Sequence, residues 1–455
     1  MKKIFLILFL VFGAEAQDVE KVSDVFKTNY SDQMIMNIEA ALARAQASQG
    51  IIPEWAAVEI TNKANTKYMP SKDVSKEYAV VKHRLVARLN IWKRSLDNGA
   101  EEYLHFGATT VDIYDTLLVL QVKKSIELLI KDLLDIETLL LRLTKDNIDS
   151  YMPGRTLGQH ALPITFGKKT STWLAENRRN IERLEHTKQK VNKSGILKGA
   201  VGTYLGLGAE GIATEEIMMK ELGLSKPSVA DWHGIRDVFA EYAVMLAIIS
   251  KSFGRIGDEL TLLQMTEFGE TLENLGSRAV GSSTMPQKRN PRGPGALIEY
   301  SRVIPRQAEV ILDDMINSFE RDGTKSDRQI SEISINAEKM LNRAKNLLDN
   351  LEVNKEKMRS NLDITNGLIL SQRVTFELAK KIGKNTANDL MHKVAMNALQ
   401  KNLNLKEALM LNPKTSKYFT EEELDVILDP ETYVGLAIKQ TEQVIKEIEA
   451  KRLID

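Results

Sequence analysis

The 455-residue sequence predicts a mainly α protein of three helical domains built around a central bundle of long helices. Three observations carry that reading. Apolar residues recur at three- and four-residue spacing over most of the chain. Glycine (26) and proline (11) together make about 8% of the residues, against ~12% in average usage, so turns are few. No stretch alternates with period two for long enough to suggest a sheet.

Taken in order, the chain opens with Lys2 and Lys3, an apolar run Ile4 to Phe12, Gly13, and Ala14-Glu15-Ala16. Those three parts fit a signal peptide over residues 1–16, cleaved before Gln17, and they predict an exported or periplasmic protein. The alternative is a cytoplasmic chain whose apolar N-terminal segment packs on the domain. The run is too short to span a bilayer as a helix, and no other stretch is long and apolar enough. Residues 17–108 read as a small helical domain, with helical spacing from Met34 to Ala47 and from Tyr78 to Leu96. Residues 109–354 form the predicted bundle. Leu117 to Asp149 runs without Pro or Gly, and Gly167–Asn192, Arg236–Glu267, Pro294–Glu320 and Ile330–Leu351 follow the same pattern. Rods of ~30 residues reach ~45 Å and bury their apolar stripes against one another. Met152-Pro153-Gly154 and Gly223 to Pro227 punctuate between rods. Residues 355–455 read as a third domain of shorter helices, with turns at Asn412-Pro413 and Asp429-Pro430 and a charge-rich terminal helix from Lys439 to Arg452.

Composition excludes several functions. Lys and Arg number 62, as do Asp and Glu, so the chain has no basic footprint for nucleic acid and no polybasic surface for a membrane. Without cysteine there is no disulfide, thiolate nucleophile, iron–sulfur cluster or Cys-bound zinc. No histidine pair has metal-ligand spacing, so neither a metal nor a cofactor is expected. Gly206-Leu207-Gly208-Ala209-Glu210-Gly211 matches G-x-G-x-x-G, but no strand precedes it, and a turn or helix packing accounts for it better than dinucleotide binding. His83, His186 and His392 fall on charged helical faces, while His105, His160 and His233 lie within motifs considered below.

The scarce Gly and Pro residues are concentrated. Gly281 to Gly295 reads GSSTMPQKRNPRGPG, six of fifteen positions being Gly or Pro, between two predicted rods. A polar, hinged loop carrying Ser282, Ser283, Gln287, Lys288, Arg289 and Asn290 is where binding or catalysis is expected on a helical scaffold. Lys288 can neutralise a carboxylate, and an activated serine hydroxyl can move a proton.

This loop, Gly281-Ser282-Ser283-Thr284-Met285-Pro286-Gln287-Lys288-Arg289-Asn290-Pro291, resembles the signature loop of the fumarase/aspartase superfamily, in the branch of adenylosuccinate lyase and 3-carboxy-cis,cis-muconate cycloisomerase. His105-Phe106-Gly107-Ala108-Thr109-Thr110-Val111-Asp112 with Asp115-Thr116, and Gly154-Arg155-Thr156 through His160-Ala161 to Pro163 and Thr165-Phe166-Gly167, are similar to the same branch. So are Gly199 to Thr203 and Trp232-His233 with Arg236-Asp237. The resemblance covers roughly residues 30 to 400. It implies a lyase that removes a proton beside one carboxylate of a succinyl-type substrate, expels the neighbouring group and releases fumarate. A cycloisomerase, or a non-catalytic member of the fold, is the alternative. It implies Ser282 as base with Ser283 close behind, Lys288 and Asn290 as carboxylate clamp, and His105, Thr109, Thr110, Thr156 and Met285 on the substrate. Glu320 to Ser326 partly resembles a stretch that contributes Arg321 and Ser326 to the site; a capped helix end with surface ion pairs is the other reading. Where many members carry a histidine after the threonine matched by Thr156, this chain has Leu157. Either His160 takes the acid role or the leaving group needs no strong acid. Asn29-Tyr30 stands where adenylosuccinate lyases tend to have an Arg-Tyr pair for the nucleotide phosphate. The resemblance further implies a small dicarboxylate substrate, no cofactor, and a homotetramer whose active sites are shared between subunits.

Overall fold

A computed structural model describes residues 19–276, 280–323 and 327–453. The signal-like residues 1–16 and Ser326 lie outside them. Helices dominate the described residues, as the spacing predicts. The rods appear as Thr110–Asp146, Phe166–Val191, Asp237–Leu263, Arg292–Asp313 and Asp327–Asp349, of 37, 26, 27, 22 and 23 residues. No helix among the described residues is long and apolar enough to cross a membrane.

Backbone contacts group the chain into two compact units. One comprises residues 1–132, 181–250 and 300–339; the other comprises 133–180, 251–299 and 340–455. All five boundaries fall inside the five long helices, so neither unit is a contiguous stretch of sequence.

In the first unit, helix Thr28–Ser48 buries Ile35, Met36, Ile38, Leu42 and Ala45 and packs against helices Glu54–Asn62 and Gly211–Glu221. Each fully buried Leu, Ile or Met contributes roughly 1.5–3 kcal/mol relative to exposure. The periodic stretch Tyr78 to Leu96 is interrupted. Lys82 takes a left-handed conformation (φ +56°), ending helix Ser71–Val81, and His83 is extended. The His83 ring nitrogen accepts the Val86 N–H at 3.2 Å and caps helix Arg84–Lys93, so this histidine sits at a helix start and not on a helix face.

In the second unit, helices Ser371–Ile382, Lys384–Lys401 and Leu405–Leu411 close around Val374, Leu378, Met391, Val394, Leu405 and Leu409. Asn404 with Glu407 and Thr420 with Glu423 form capping boxes at the starts of helices Leu405–Leu411 and Glu421–Ile427. The buried Glu137 carboxylate receives the Arg178 guanidinium at 2.7 and 2.5 Å.

Strands absent from the sequence reading also appear. Tyr151–Thr156 (β1) pairs antiparallel with Gln159–Thr165 (β2), and Thr271–Glu273 (β3) pairs with Leu351–Val353 (β4). The first pair escaped notice because each strand carries a proline and the polar residues do not alternate. Met152-Pro153-Gly154, read as a break between rods, lies inside β1.

Candidate active site

The first unit holds one group of the expected residues. His105, Thr109 and Thr110 lie on the segment that leads into helix Thr110–Asp146, all of them half-buried. Gly107 has φ +72°, and a Cβ there would stand 2.5 Å from the Gly206 carbonyl oxygen. That close backbone approach explains the start of the Gly206–Gly211 run as packing. His105 is also left-handed (φ +64°), and its Nδ1 lies 2.7 Å from Glu39 Oε1. Gln46 Nε2 donates to the Phe106 carbonyl at 2.6 Å.

A buried carboxylate knits this segment to two others. Asp112 Oδ2 accepts the Thr109 N–H at 2.9 Å and the Gly199 N–H at 3.0 Å, while Oδ1 accepts the Lys198 N–H at 2.9 Å and lies 3.0 Å from His233 Nε2. His233 Nδ1 faces Asp115 Oδ2 at 2.5 Å, and Arg236 bridges Asp115 (3.3 Å) to Asp327 (3.0 Å). Both ring nitrogens of His233 therefore face carboxylate oxygens. Asp112 and Asp115 were not singled out from the sequence. Their signal is two acidic residues spaced i, i+3 in the first two turns of a rod, within a segment that resembles the superfamily. The three segments they join are three of those that resemble the superfamily.

Arg321 is half-buried in the connection before helix Asp327–Asp349, where Asp322 Oδ2 accepts the Ser318 N–H at 3.2 Å. Asp327 begins the helix and takes Arg236.

The second unit holds the rest. The turn of hairpin β1–β2 is Leu157-Gly158, with φ +51° and +77°, a two-residue connection of the kind that matches strand twist. Leu157 is wholly exposed (101%) and Thr156 is exposed beside it. Pairing runs Arg155 opposite His160 and Gly154 opposite Leu162, leaving Ala161 as a bulge. Directly opposed residues share a face, which sets the Arg155 charge near the His160 ring. Burial, and then the Arg155 charge, lower the His160 pKa from its usual 6.5. The ring is therefore largely neutral at pH 7, and its Nδ1 is buried without a partner among the described residues. Arg155 is held by Glu270, at 2.9 and 2.6 Å, and stacks over Phe268 at 4.6 Å; Glu270 also takes Asn361 Nδ2 at 2.7 Å.

The signature loop is closed by its own bonds. Asn290 Nδ2 donates to the Gly281 carbonyl at 3.0 Å, and Arg292 donates to that of Val280 at 2.9 Å. A Cβ at Gly281 would stand 2.1 Å from the Lys288 oxygen, so only glycine admits this closure. Ser282 Oγ accepts the Met285 N–H at 3.2 Å and, more loosely, the Thr284 N–H at 3.4 Å. N–H groups aimed at a hydroxyl oxygen favour negative charge on it. Ser283, Met285, Lys288 and Asn290 are exposed, and neither Lys288 nor Arg289 pairs with a carboxylate among the described residues. Glu273, on β3, accepts the Gly293 N–H at 2.9 Å and anchors the start of the following helix.

Thus the expected residues fall into one group on the segment from 105 to 110 and Arg321 in the first unit, and the hairpin and loop groups in the second. Comparisons with known proteins bear on what this arrangement is. The family described as "Lyase" matches residues 14–305, and "Adenylosuccinate lyase C-terminus" matches residues 367–444. An adenylosuccinate lyase of Methanocaldococcus jannaschii is 36% identical, with 92% of each chain covered. An N-acetyl-S-(2-succino)cysteine lyase of Dickeya dadantii is 35% identical, again over 92% of each chain. A fumarate lyase from Mesorhizobium sp. BNC1 superposes with a TM-score of 0.86 at 31% identity, covering 93% of this chain and 97% of that one. The 3-carboxy-cis,cis-muconate lactonizing enzyme of Pseudomonas putida superposes at 0.85 with 29% identity, covering 94% and 97%. With the signature loop, the hairpin and the Thr109-Thr110 helix start all in place, the chain belongs to the lyase family of the fumarase/aspartase superfamily, in the branch of adenylosuccinate lyase and carboxymuconate cycloisomerase.

Proposed function

We propose that the protein cleaves a succinyl-type substrate by β-elimination and releases fumarate. The observation that carries this reading is the loop itself, with Ser282 Oγ facing two backbone N–H groups and Lys288 exposed without a carboxylate partner among the described residues. Ser282, in its deprotonated form, takes the proton from the carbon beside one carboxylate, and Ser283 is the second candidate. Lys288 and Asn290, with hydroxyls from Thr109, Thr110 and Thr156, stabilise the doubly charged aci-carboxylate that results. The electron pair then forms the double bond and the neighbouring group departs. Arg321 and Ser326 are further candidates for holding the substrate, on the partial resemblance of Glu320 to Ser326. The long apolar helices support assembly as a homotetramer in which groups on different subunits complete each site. Lys2-Lys3, the apolar run Ile4 to Phe12 and Ala14-Glu15-Ala16 support a cleaved leader and export.

The test is a fumarate assay by ultraviolet absorbance with aspartate, adenylosuccinate, N-acetyl-S-(2-succino)cysteine and 3-carboxymuconate. Fumarate from any succinyl substrate supports the reading, provided that Ser282→Ala abolishes it. Turnover of carboxymuconate alone favours cycloisomerisation, the second reading, for which the likeness to the Pseudomonas putida enzyme speaks. A protein inert toward all four favours a non-catalytic role.

A further inference from the structure

We propose that His105 is the acid that protonates the leaving group and that Glu39 is the residue that positions it, an assignment that rests on the elimination reading above. The Glu39 side chain is wholly buried, and its Oε1 lies 2.7 Å from His105 Nδ1. Its second oxygen is buried too and has no partner among the described residues. An ionised carboxylate accepts only, so Nδ1 carries a hydrogen and the ring is locked in one orientation. A carboxylate taken out of water with so little else to satisfy it stabilises positive charge on the imidazole strongly.

The other ring nitrogen, Nε2, takes no hydrogen bond among the described residues, and the side chain keeps 19% of its surface. Proton exchange is open there and closed at Nδ1. The backbone adds a second sign. His105 holds φ +64°, a left-handed conformation that is strained for a non-glycine residue. The Glu39 contact on the ring and the Gln46 bond to the next carbonyl hold it there. Four residues further on, Thr109 and Thr110 begin the helix whose hydroxyls bind carboxylate in the elimination reading.

The groups that act on the ring come from three helices: Glu39 from Thr28–Ser48, Asp112 from Thr110–Asp146 and Lys93 from Arg84–Lys93. Burial lowers the His105 pKa and Lys93 lowers it further, but the charge and hydrogen bond of Glu39, with Asp112 adding, outweigh both. The net effect raises the pKa above its usual 6.5, which favours the protonated ring. In the step itself the carbon–heteroatom bond breaks and its electron pair goes to the leaving atom. The Nε2 proton moves to that atom, leaving a neutral imidazole still bonded through Nδ1–H to Glu39. Water then restores the Nε2 proton.

The experiment measures kcat and KM against pH for wild type, His105→Gln, Glu39→Gln and Glu39→Asp. The substrates are adenylosuccinate, whose nitrogen must be protonated to leave, and N-acetyl-S-(2-succino)cysteine, whose thiolate is a stable anion. His105→Gln should lower kcat on the nitrogen substrate about 10²–10⁴-fold, with a much smaller loss on the sulfur substrate. Glu39→Gln should move the alkaline limb of the profile to lower pH, and Glu39→Asp should restore it in part. A merely structural role would depress both substrates alike and leave the limb in place. Circular dichroism melts identify a variant that fails to fold, in which case Glu39→Asp and His105→Gln carry the test. An unmoved limb in Glu39→Gln, or His105→Gln within about threefold of wild type on the nitrogen substrate, overturns the assignment alone. Wild-type protein that releases fumarate neither from these two substrates nor from aspartate overturns the elimination reading and the assignment together.

Discussion

Replacing Asp112 by Asn tests whether one buried carboxylate holds the Thr109-Thr110 segment in register. The side chain is wholly buried, and its two oxygens serve four groups: the N–H of Thr109, Lys198 and Gly199, and His233. The donors divide evenly, two to each oxygen. Asparagine keeps one oxygen and turns the other into a donor, so either amide orientation leaves two groups facing N–H instead of an acceptor. Each buried donor left without its acceptor costs about 1–3 kcal/mol, more where a charge is involved, so the substitution should cost about 3–5 kcal/mol. For a chain of 455 residues that is a fall of roughly 3–5 °C in melting temperature. The assay is thermal and urea unfolding of wild type and Asp112→Asn under one buffer, with fumarate release measured below the transition. Activity should fall with stability, because Asp112 joins the Thr109 segment to Lys198, Gly199 and His233 and either orientation breaks one side of that junction. A melting temperature within about 1 °C of wild type would refute the reasoning, since it would mean the four contacts contribute about 1 kcal/mol or less in total.

Ser282→Ala should lower kcat about 10²–10⁴-fold with KM little changed, measured by fumarate release; an equal loss in Ser283→Ala alone would shift the base to that residue. Glu270→Ala removes the partner of a largely buried guanidinium and should destabilise by about 3–5 kcal/mol in urea unfolding, with Arg155→Ala similar. The two perturbed histidines act on stability in opposite directions. The lowered pKa of His160 means that its native state resists protonation, so this contribution is complete above 6.5 and is lost as pH falls below it. The raised pKa of His105 gives stability that is complete below 6.5 and lost as pH rises through the folded value. Difference melts of His160→Gln and His105→Gln against pH should slope with opposite sign. Intact mass of protein recovered from the exporting host should place the mature N-terminus at Gln17, and light scattering should give four times 51.2 kDa less the leader.

Most rods were legible to within a few residues. Gly167–Asn192 was read where Phe166–Val191 is found, and Ile330–Leu351 where Asp327–Asp349 is found. Long amphipathic helices announce themselves because each turn repeats the same burial requirement. The break at Lys82 was not legible, because a single left-handed residue leaves the three- and four-residue spacing on either side intact. The hairpin was missed for the complementary reason, its strands being short and interrupted by proline. The signature loop stood out by composition alone, whereas Glu39 looked like an ordinary charge within a helical segment, and Asp112 and Asp115 stood in a family-like segment with no role attached. Sequence shows residue type and spacing, and neither reveals that a carboxylate is wholly buried.

By itself, the sequence determined the helical class, the long rods, the loop at 281–295 and the family through its motifs, since all of these rest on local period, local composition or contiguous residues. Only the tertiary structure decided that Asp112 ties Thr109 to Lys198, Gly199 and His233, and that Glu39 faces His105 across 66 positions. It also decided that His160 is opposed to Arg155. The reason is physical: a hydrogen bond or a shift in pKa depends on distance in space and exclusion of water, which chain separation does not encode.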